Sequence, residues 1–388
     1  MFVIQGEGRG HLTQAIALQE ILLHRGYEIC CVVVGTSGHR KLPPFFTAKF
    51  KAPLVSLASP GFAMDKNRVG IRPGMTVWTN LRRLPGFLRS IRVLRKLVAF
   101  HQPAMVINFY EPLMGLYQWW YGNRLPVISI AHQYVYLHDA FHFAGGTLME
   151  HRMLRWYTRL TAYGSVKRLA ISAQRLPDTG SSPVELVPPL LRRELRQMQT
   201  DKHDFFLVYL LNDGYMRSII EWHQQHPDVV LHCFTDSREV RERHGGCWKV
   251  NGRLIFHSLN DTLFLSLMAN CRGVATTAGF ETVCEAMYLG KPVLMVPVEG
   301  HAEQACNAAD FTDMGAGIWD HQFRLEKLMS FVEQQASSPV AFRAWADQAE
   351  QLIGVHLSLG HRPSDHAGPA QAPLIDMHGS MDRRPAVG

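Results

Sequence analysis

Short β-branched runs alternating with stretches of helical period are the feature that most narrows what this 388-residue chain can become. Such alternation makes βαβ units, which assemble into a parallel sheet with helices on its faces. The spacing predicts strands at Phe2–Gln5, Ile29–Val34, Leu54–Leu57, Met105–Asn108, Val127–Ile130 and Arg168–Ile171. Between the first two, Leu12, Ile16, Leu18, Ile21 and Leu22 recur at helical spacing, and Gly26 stands where a C-cap belongs. A second series is expected at Phe205–Leu210, Val229–Cys233, Leu254–Phe256, Gly273–Thr276 and Val293–Val296, closed by helices near 323–335 and 340–354.

Residues 181–189 hold three prolines and two serines, and the charge changes sign just beyond them. Residues 1–190 carry 22 basic and 9 acidic side chains, whereas 191–388 carry 18 and 24. A domain junction is therefore expected there. The predicted class is α/β, with two Rossmann-like domains, over 1–185 and 190–357, facing each other across a cleft. The tail over 358–388 is rich in Gly, Pro, His and Ser and is expected to be disordered. Seven cysteines lack disulfide-framework spacing, and the chain opens on a short apolar run followed by glycines. Reduced thiols, no signal peptide, no transmembrane helix and a cytoplasmic location are expected.

The first glycine-rich turn, Gly6-Glu7-Gly8-Arg9-Gly10-His11, lies between the first strand and the first helix. A dinucleotide fingerprint would need its third glycine at His11 and an acid ending strand two, where Val34-Gly35 stand, so NAD is not expected. A histidine at the mouth of such a turn can take a proton from an attacking hydroxyl. His11 is thus a candidate general base, the alternative being a helix-terminal histidine bonded to nearby backbone.

The second turn carries more. Thr276-Thr277-Ala278-Gly279-Phe280-Glu281-Thr282-Val283-Cys284-Glu285 leads to Gly290-Lys291-Pro292 and then to Glu303-Gln304 and Asn307. A small-residue turn opening a helix offers free amides to a diphosphate, with the Thr282 hydroxyl beside them. Glu285, one turn on, is placed to accept from ribose hydroxyls. Glu303 and Gln304 return to the same sheet edge from the next loop. The alternative is an ordinary βαβ turn with solvated acids.

Here the chain resembles the inverting nucleotide-sugar glycosyltransferases of the GT-B fold, in the branch holding the lipid II-forming N-acetylglucosaminyltransferase, the diacylglycerol glycosyltransferases and the UDP-glycosyltransferases. The resemblance spans roughly residues 1 to 355, carried by Gly10-His11-Leu12-Thr13-Gln14-Ala15 and by the run from Ala278 to Asn307. It implies that Gly279, Phe280, Glu281 and Thr282, with Thr277 and Ala278 before them, form the pyrophosphate turn. It further implies Glu285 as ribose ligand, Glu303 and Gln304 as donor-sugar ligands and His11 as catalytic base, with Gly10 on the acceptor side. Two departures stand out: Thr277 replaces a histidine common before this turn, and Leu211-Asn212-Asp213-Gly214 replaces a Gly-Gly-Ser type loop, leaving Asn212 as the candidate donor contact there.

Asn108 and Glu111 follow the fourth strand, and His132-Gln133 the fifth. Glu111 is a candidate to orient and charge-stabilise His11, against a plain surface carboxylate. His132 and Gln133 are candidate acceptor contacts, against a buried, backbone-bonded histidine. From Lys66 to Tyr110 there are nine Lys or Arg and no acid. Within it, Leu84, Phe87, Leu88, Ile91, Leu94 and Val98 fall on one helical stripe beside Arg82, Arg89, Arg92 and Lys96. Residues 82–100 thus read as a basic amphipathic helix for an anionic membrane surface, or as a core helix with a solvated face. Trp119-Trp120-Tyr121 and Arg152, Arg155, Trp156 and Arg159 are further candidates. No nucleic-acid module, no paired Cys/His spacing and no Asp-x-Asp is found, so neither nucleic acid nor metal nor any other cofactor is expected.

The function expected is transfer of a sugar, with inversion, from a UDP-sugar to the hydroxyl of a lipid or membrane-associated glycan precursor, on the inner face of the membrane. A sugar-nucleotide epimerase of similar fold, or a non-catalytic sugar-nucleotide or membrane-binding protein, are the alternatives.

Overall fold

The computed structural model describes residues 1–36, 42–61, 78, 80–122, 125–210, 213–334 and 340–357. Asn212, most of 62–79 in the basic run and the tail from 358 lie outside the described residues. Helices of seven residues or more are numbered below.

The N-terminal half runs β1 (Phe2–Gln5), α1 (Gly10–His24), β2 (Val32–Thr36), β3 (Leu54–Ala58), α2 (Leu84–His101), β4 (Val106–Phe109), α3 (Pro112–Tyr121), β5 (Val127–Ala131), α4 (Leu148–Thr161), β6 (Lys167–Ile171) and β7 (Glu185–Val187). Its sheet is wholly parallel in the order β3-β2-β1-β4-β5-β6-β7. The C-terminal half runs β8 (Phe206–Leu210), α5 (Met216–Gln225), β9 (Leu231–Thr235), β10 (Cys247–Lys249), β11 (Leu254–Ser258), α6 (Asp261–Asn270), β12 (Gly273–Thr276), α7 (Phe280–Tyr288), β13 (Val293–Met295), α8 (Ala302–Asp313), β14 (Gly317–Trp319), α9 (Leu325–Gln334), α10 (Val340–Ala346) and α11 (Ala349–Leu357). Its sheet order is β10-β11-β9-β8-β12-β13-β14, with only the β10 edge antiparallel. Each sheet is a doubly wound α/β layer, as the strand spacing predicts.

In both sheets the strand order reverses beside the first strand, between β1 and β4 and between β8 and β12. Crevices at such switch points receive ligands at the carboxyl ends of the strands. The turn before α1 leaves β1 at one switch, and the turn before α7 leaves β12 at the other. One apolar cluster joins the halves, running from Phe2 and Ile4 through Leu190 and Leu195 to Phe264, Phe280 and Phe311.

Three features differ from the expectations. The proline-bearing stretch at 181–189 contains β7, an edge strand, where prolines are tolerated. The predicted helix at 340–354 is two helices, α10 and α11. The second of them packs on β7 of the first sheet, with Arg25 donating to the Glu350 carbonyl at 2.8 Å. Finally, α2 buries Phe87, Ile91, Leu94 and Leu97 in the core beneath the first sheet. Its apolar stripe is thus used in packing, and Arg89, Arg92 and Lys96 face solvent.

Candidate active site

Two helix-opening turns, one from each domain, meet across the cleft. Gly10 packs so closely against the Glu281 carboxylate that a Cβ there would collide with it. His11, in the first turn of α1, is buried, and its ring stacks on Tyr110 with centroids 5.7 Å apart. The His11 Nδ1 lies 3.4 Å from Gln14 Oε1, and the Gln14 amide donates to Glu281 Oε1 in the opposite domain. That second bond sets the amide's orientation, so Nδ1–H donates to Gln14 Oε1 and the lone pair of the neutral ring sits on Nε2. Burial lowers the His11 pKa and favours this neutral ring, against the opposing field of Glu303. The arrangement is chemically that of a base held in one tautomer.

Glu111 does something else. It caps α3, accepting from the Leu113 amide at 3.0 Å and from the Ser59 hydroxyl, while its own amide donates to Asn108 Oδ1. Burial, as the largest cause, raises its pKa to about 8. The expected orienter of His11 is thus a helix cap, and Gln14 is the group in contact with the imidazole. Spacing could have found Gln14, since residues i and i+3 share a helix face.

On the donor side, Ala278 adopts φ +57°, and its carbonyl accepts from Asn307 Nδ2 at 3.0 Å. Gly279 is the N-cap of α7, and a Cβ there would meet open space. Thr277 is buried beneath the turn and Thr282 is half-buried. Glu281 folds back to its own amide, and burial, as the largest cause, raises its pKa to about 7. Glu303 accepts from Gln133 Nε2 at 3.0 Å, and Gln304 Oε1 accepts from the Val298 amide at 2.8 Å, fixing the loop after β13. Gln133 Oε1 is a buried acceptor with no donor among the described residues.

Glu285 receives both oxygens' worth of a guanidinium: Arg192 Nε and Nη2 donate to Oε1 and Oε2, each at 2.6 Å. Each carboxylate oxygen retains a further lone pair for a hydroxyl. Arg192 lies between β7 and β8, and only its place after Pro188-Pro189 marks it in the sequence. A second charged contact, Arg9 Nη2 to Asp261 Oδ1 at 2.8 Å, crosses between the domains.

His132 is not open to an acceptor. Its ring stacks on Phe280 at 3.8 Å, and its nitrogens lie 2.8 Å from the Ile171 carbonyl and 2.8 Å from Asn307 Oδ1. Both ring nitrogens are engaged, so the histidine acts as an interdomain bridge. Behind this stack a cavity of about 320 Å³ is walled by His132, Phe141, Phe143, Phe280 and Asp310 among others. Among the described residues no cluster of three or more His, Cys, Asp or Glu is arranged for a metal ion.

The family model described as Glycosyl transferase family 1 matches residues 1–335. A protein of Methanosarcina acetivorans described as an uncharacterized glycosyltransferase is 24% identical over 338 residues, spanning 82% of each chain. Among solved structures, the glycotransferase of kitacinnamycin superposes with a TM-score of 0.59 at 14% identity, over 92% of this chain and 98% of that one. MurG of Acinetobacter baumannii gives 0.51 at 15% identity, over 92% and 98%. Both solved chains are covered almost end to end, so the likeness extends to the pairing of two Rossmann-like domains, the GT-B fold.

Proposed function

Because this chain belongs to glycosyl transferase family 1, we propose that it moves a sugar from a nucleotide diphosphate donor, a UDP-sugar, to the hydroxyl of a lipid or membrane-associated glycan precursor, with inversion. The N-terminal domain takes the acceptor and the C-terminal domain the donor. The observation that carries this reading is the relay from His11 through Gln14 to Glu281, which joins a base on one domain to the helix-opening turn of the other.

In this reading His11 Nε2 takes the proton of the acceptor hydroxyl as its oxygen bonds to the anomeric carbon. The bond from that carbon to the diphosphate breaks on the opposite face, and its electron pair leaves with the phosphate oxygen. First-turn amides of α7 stabilise the departing charge. Glu285 accepts from the ribose through the lone pairs that Arg192 leaves free. In the same reading Glu303 accepts from hydroxyls of the donor sugar and Gln133 Oε1 from the acceptor, and domain closure limits attack by water.

The test is incubation with a panel of nucleotide sugars and a membrane lipid extract, read by mass spectrometry. The anomeric configuration of the product is then read by NMR. A new glycolipid with inverted configuration is expected. Conversion of the donor sugar without any acceptor would favour the epimerase, and donor binding without turnover the non-catalytic reading.

A further inference from the structure

Helix α4 packs on the domain along one side only and leaves its other side open. Of its fourteen residues only Thr158 and Thr161 are fully buried. Leu148, Met149, Met153 and Trp156 are 50–68% exposed, and they share one stripe with the exposed Arg152 and Arg159. An apolar stripe of this kind normally faces a core. The sole acid on the helix, Glu150, is tied by its carboxylate to Thr147 in a capping box. Neither Arg152 nor Arg159 pairs with a carboxylate among the described residues. The neighbouring α3 comes so close that Gly115 stands against the Leu160 carbonyl, and one turn beyond it Trp119 is exposed as well.

This face also borders the cavity behind His132. A groove bounded by Phe141, Phe143, Leu148, Arg152 and Arg155 shares its phenylalanines with the cavity behind His132 and Phe280. Exposed Leu, Met and Trp beside unpaired arginines suit an anionic bilayer, where apolar side chains enter the acyl boundary and guanidinium groups meet phosphates. A protein partner or a second copy would match the apolar part, whereas the arginines without carboxylate partners match lipid phosphates.

We propose that the stripe of α4 from Leu148 to Arg159 docks this protein on an anionic lipid bilayer. The site is α4, and not the basic helix α2, whose apolar stripe is largely buried, with Leu84 its one exposed member. The inference rests on the reading of a membrane-associated acceptor and sharpens it: the groove at Phe141 and Phe143 opens where the bilayer would lie.

The test is co-flotation of the full chain with vesicles of phosphatidylcholine alone and of phosphatidylcholine with about a third phosphatidylglycerol. Wild type is expected to bind the anionic vesicles and to be released by salt. Each cation near such a surface is worth about fivefold in affinity, so Arg152→Gln with Arg159→Gln is expected to weaken binding by about 25-fold. Met153→Ser with Trp156→Ser is expected to weaken it at least tenfold, while Arg89→Gln, Arg92→Gln and Lys96→Gln together change it by less than the α4 pairs. Thermal stabilisation by UDP serves as the independent check on folding and on the donor site. Wild type that ignores anionic vesicles, α4 variants that bind undiminished, or an α2 variant that alone abolishes binding would each overturn the proposal. So would α4 variants that turn a dimer into a monomer without touching vesicle binding. If UDP shifts the protein while vesicles do not bind it, the docking site fails and the donor reading stands; the reverse pattern sinks the donor reading alone.

Discussion

Gln14 Oε1 stands 3.4 Å from His11 Nδ1, while the other end of the same amide reaches Glu281 in the opposite domain. Replacing His11 by Ala is expected to lower kcat by about two to four orders of magnitude, the range for a positioned base, with UDP affinity nearly unchanged. Gln14→Leu keeps the imidazole but releases its tautomer. A fall of at least about tenfold in kcat is expected, with thermal stabilisation by UDP retained. Steady-state kinetics of the two variants side by side decide it, and a Gln14→Leu enzyme of full activity would remove Gln14 from the mechanism.

Arg192 and Glu285 are a buried bidentate pair. Removing one partner of such a pair costs about 3–5 kcal/mol, because the other charge stays buried alone. Arg192→Leu is therefore expected to lower the denaturation midpoint sharply, and Arg192→Met combined with Glu285→Gln to recover part of the loss. A double-variant loss equal to the sum of the losses from Arg192→Met alone and Glu285→Gln alone would show that the pair contributes little as a pair.

Glu281 lies where the donor diphosphate is proposed to bind, with its pKa raised to about 7. Below that value it is neutral and tolerates an anion. Above it, carboxylate and diphosphate repel, so UDP affinity is expected to decline as pH rises through about 7. Titration calorimetry between pH 6 and 8.5 (about the range that brackets the transition) should find that decline in wild type and a flatter profile in Glu281→Gln.

Glu111 has a folded pKa raised from 4.5 to about 8 by burial. It holds its proton more tightly folded than unfolded, so its contribution to stability is fully present below about 4.5 and is lost as pH rises toward 8. Across that window the wild type should lose up to about 1.4 kcal/mol per pH unit from this group. Glu111→Gln keeps an acceptor for the α3 cap and removes the titration. Denaturant melts at several pH values should find a shallower slope in the variant.

Much of the two sheets could be read from the chain because buried parallel strands are short apolar runs, and β1 and β12 fall where the pattern places them. Edges were harder. β7 hides among prolines, and β10 and β14 are three-residue strands too short to carry a period. At the site, the residues in the two turns were visible from glycine spacing. Gln14 becomes visible only once His11 is taken as the base, because its i+3 spacing then puts it on the same helix face as the imidazole. Arg192 sits in a connection where no periodicity operates, and Glu111 looks the same in sequence whether it faces an imidazole or caps a helix. The α2 stripe has the same pattern whether it meets a bilayer or a sheet, and only tertiary packing separates the two.

The chain passes between the domains twice, once before β8 and again around α10, which packs on α7 while Trp345 donates to the Ser172 carbonyl. The two crossings run side by side, with Arg196 of the first 3.6 Å from Asp347 of the second. A body hung from one thread can swing, twist and drift; hung from two adjacent pins it keeps a single axis, like a door. The closure that the proposed mechanism requires would then follow one arc and bring His11 back to Glu281 in the same register. Severing the chain ahead of α10 would leave both sheets intact and take away a pin, so that the two halves of the site would still exist but would no longer find each other on time.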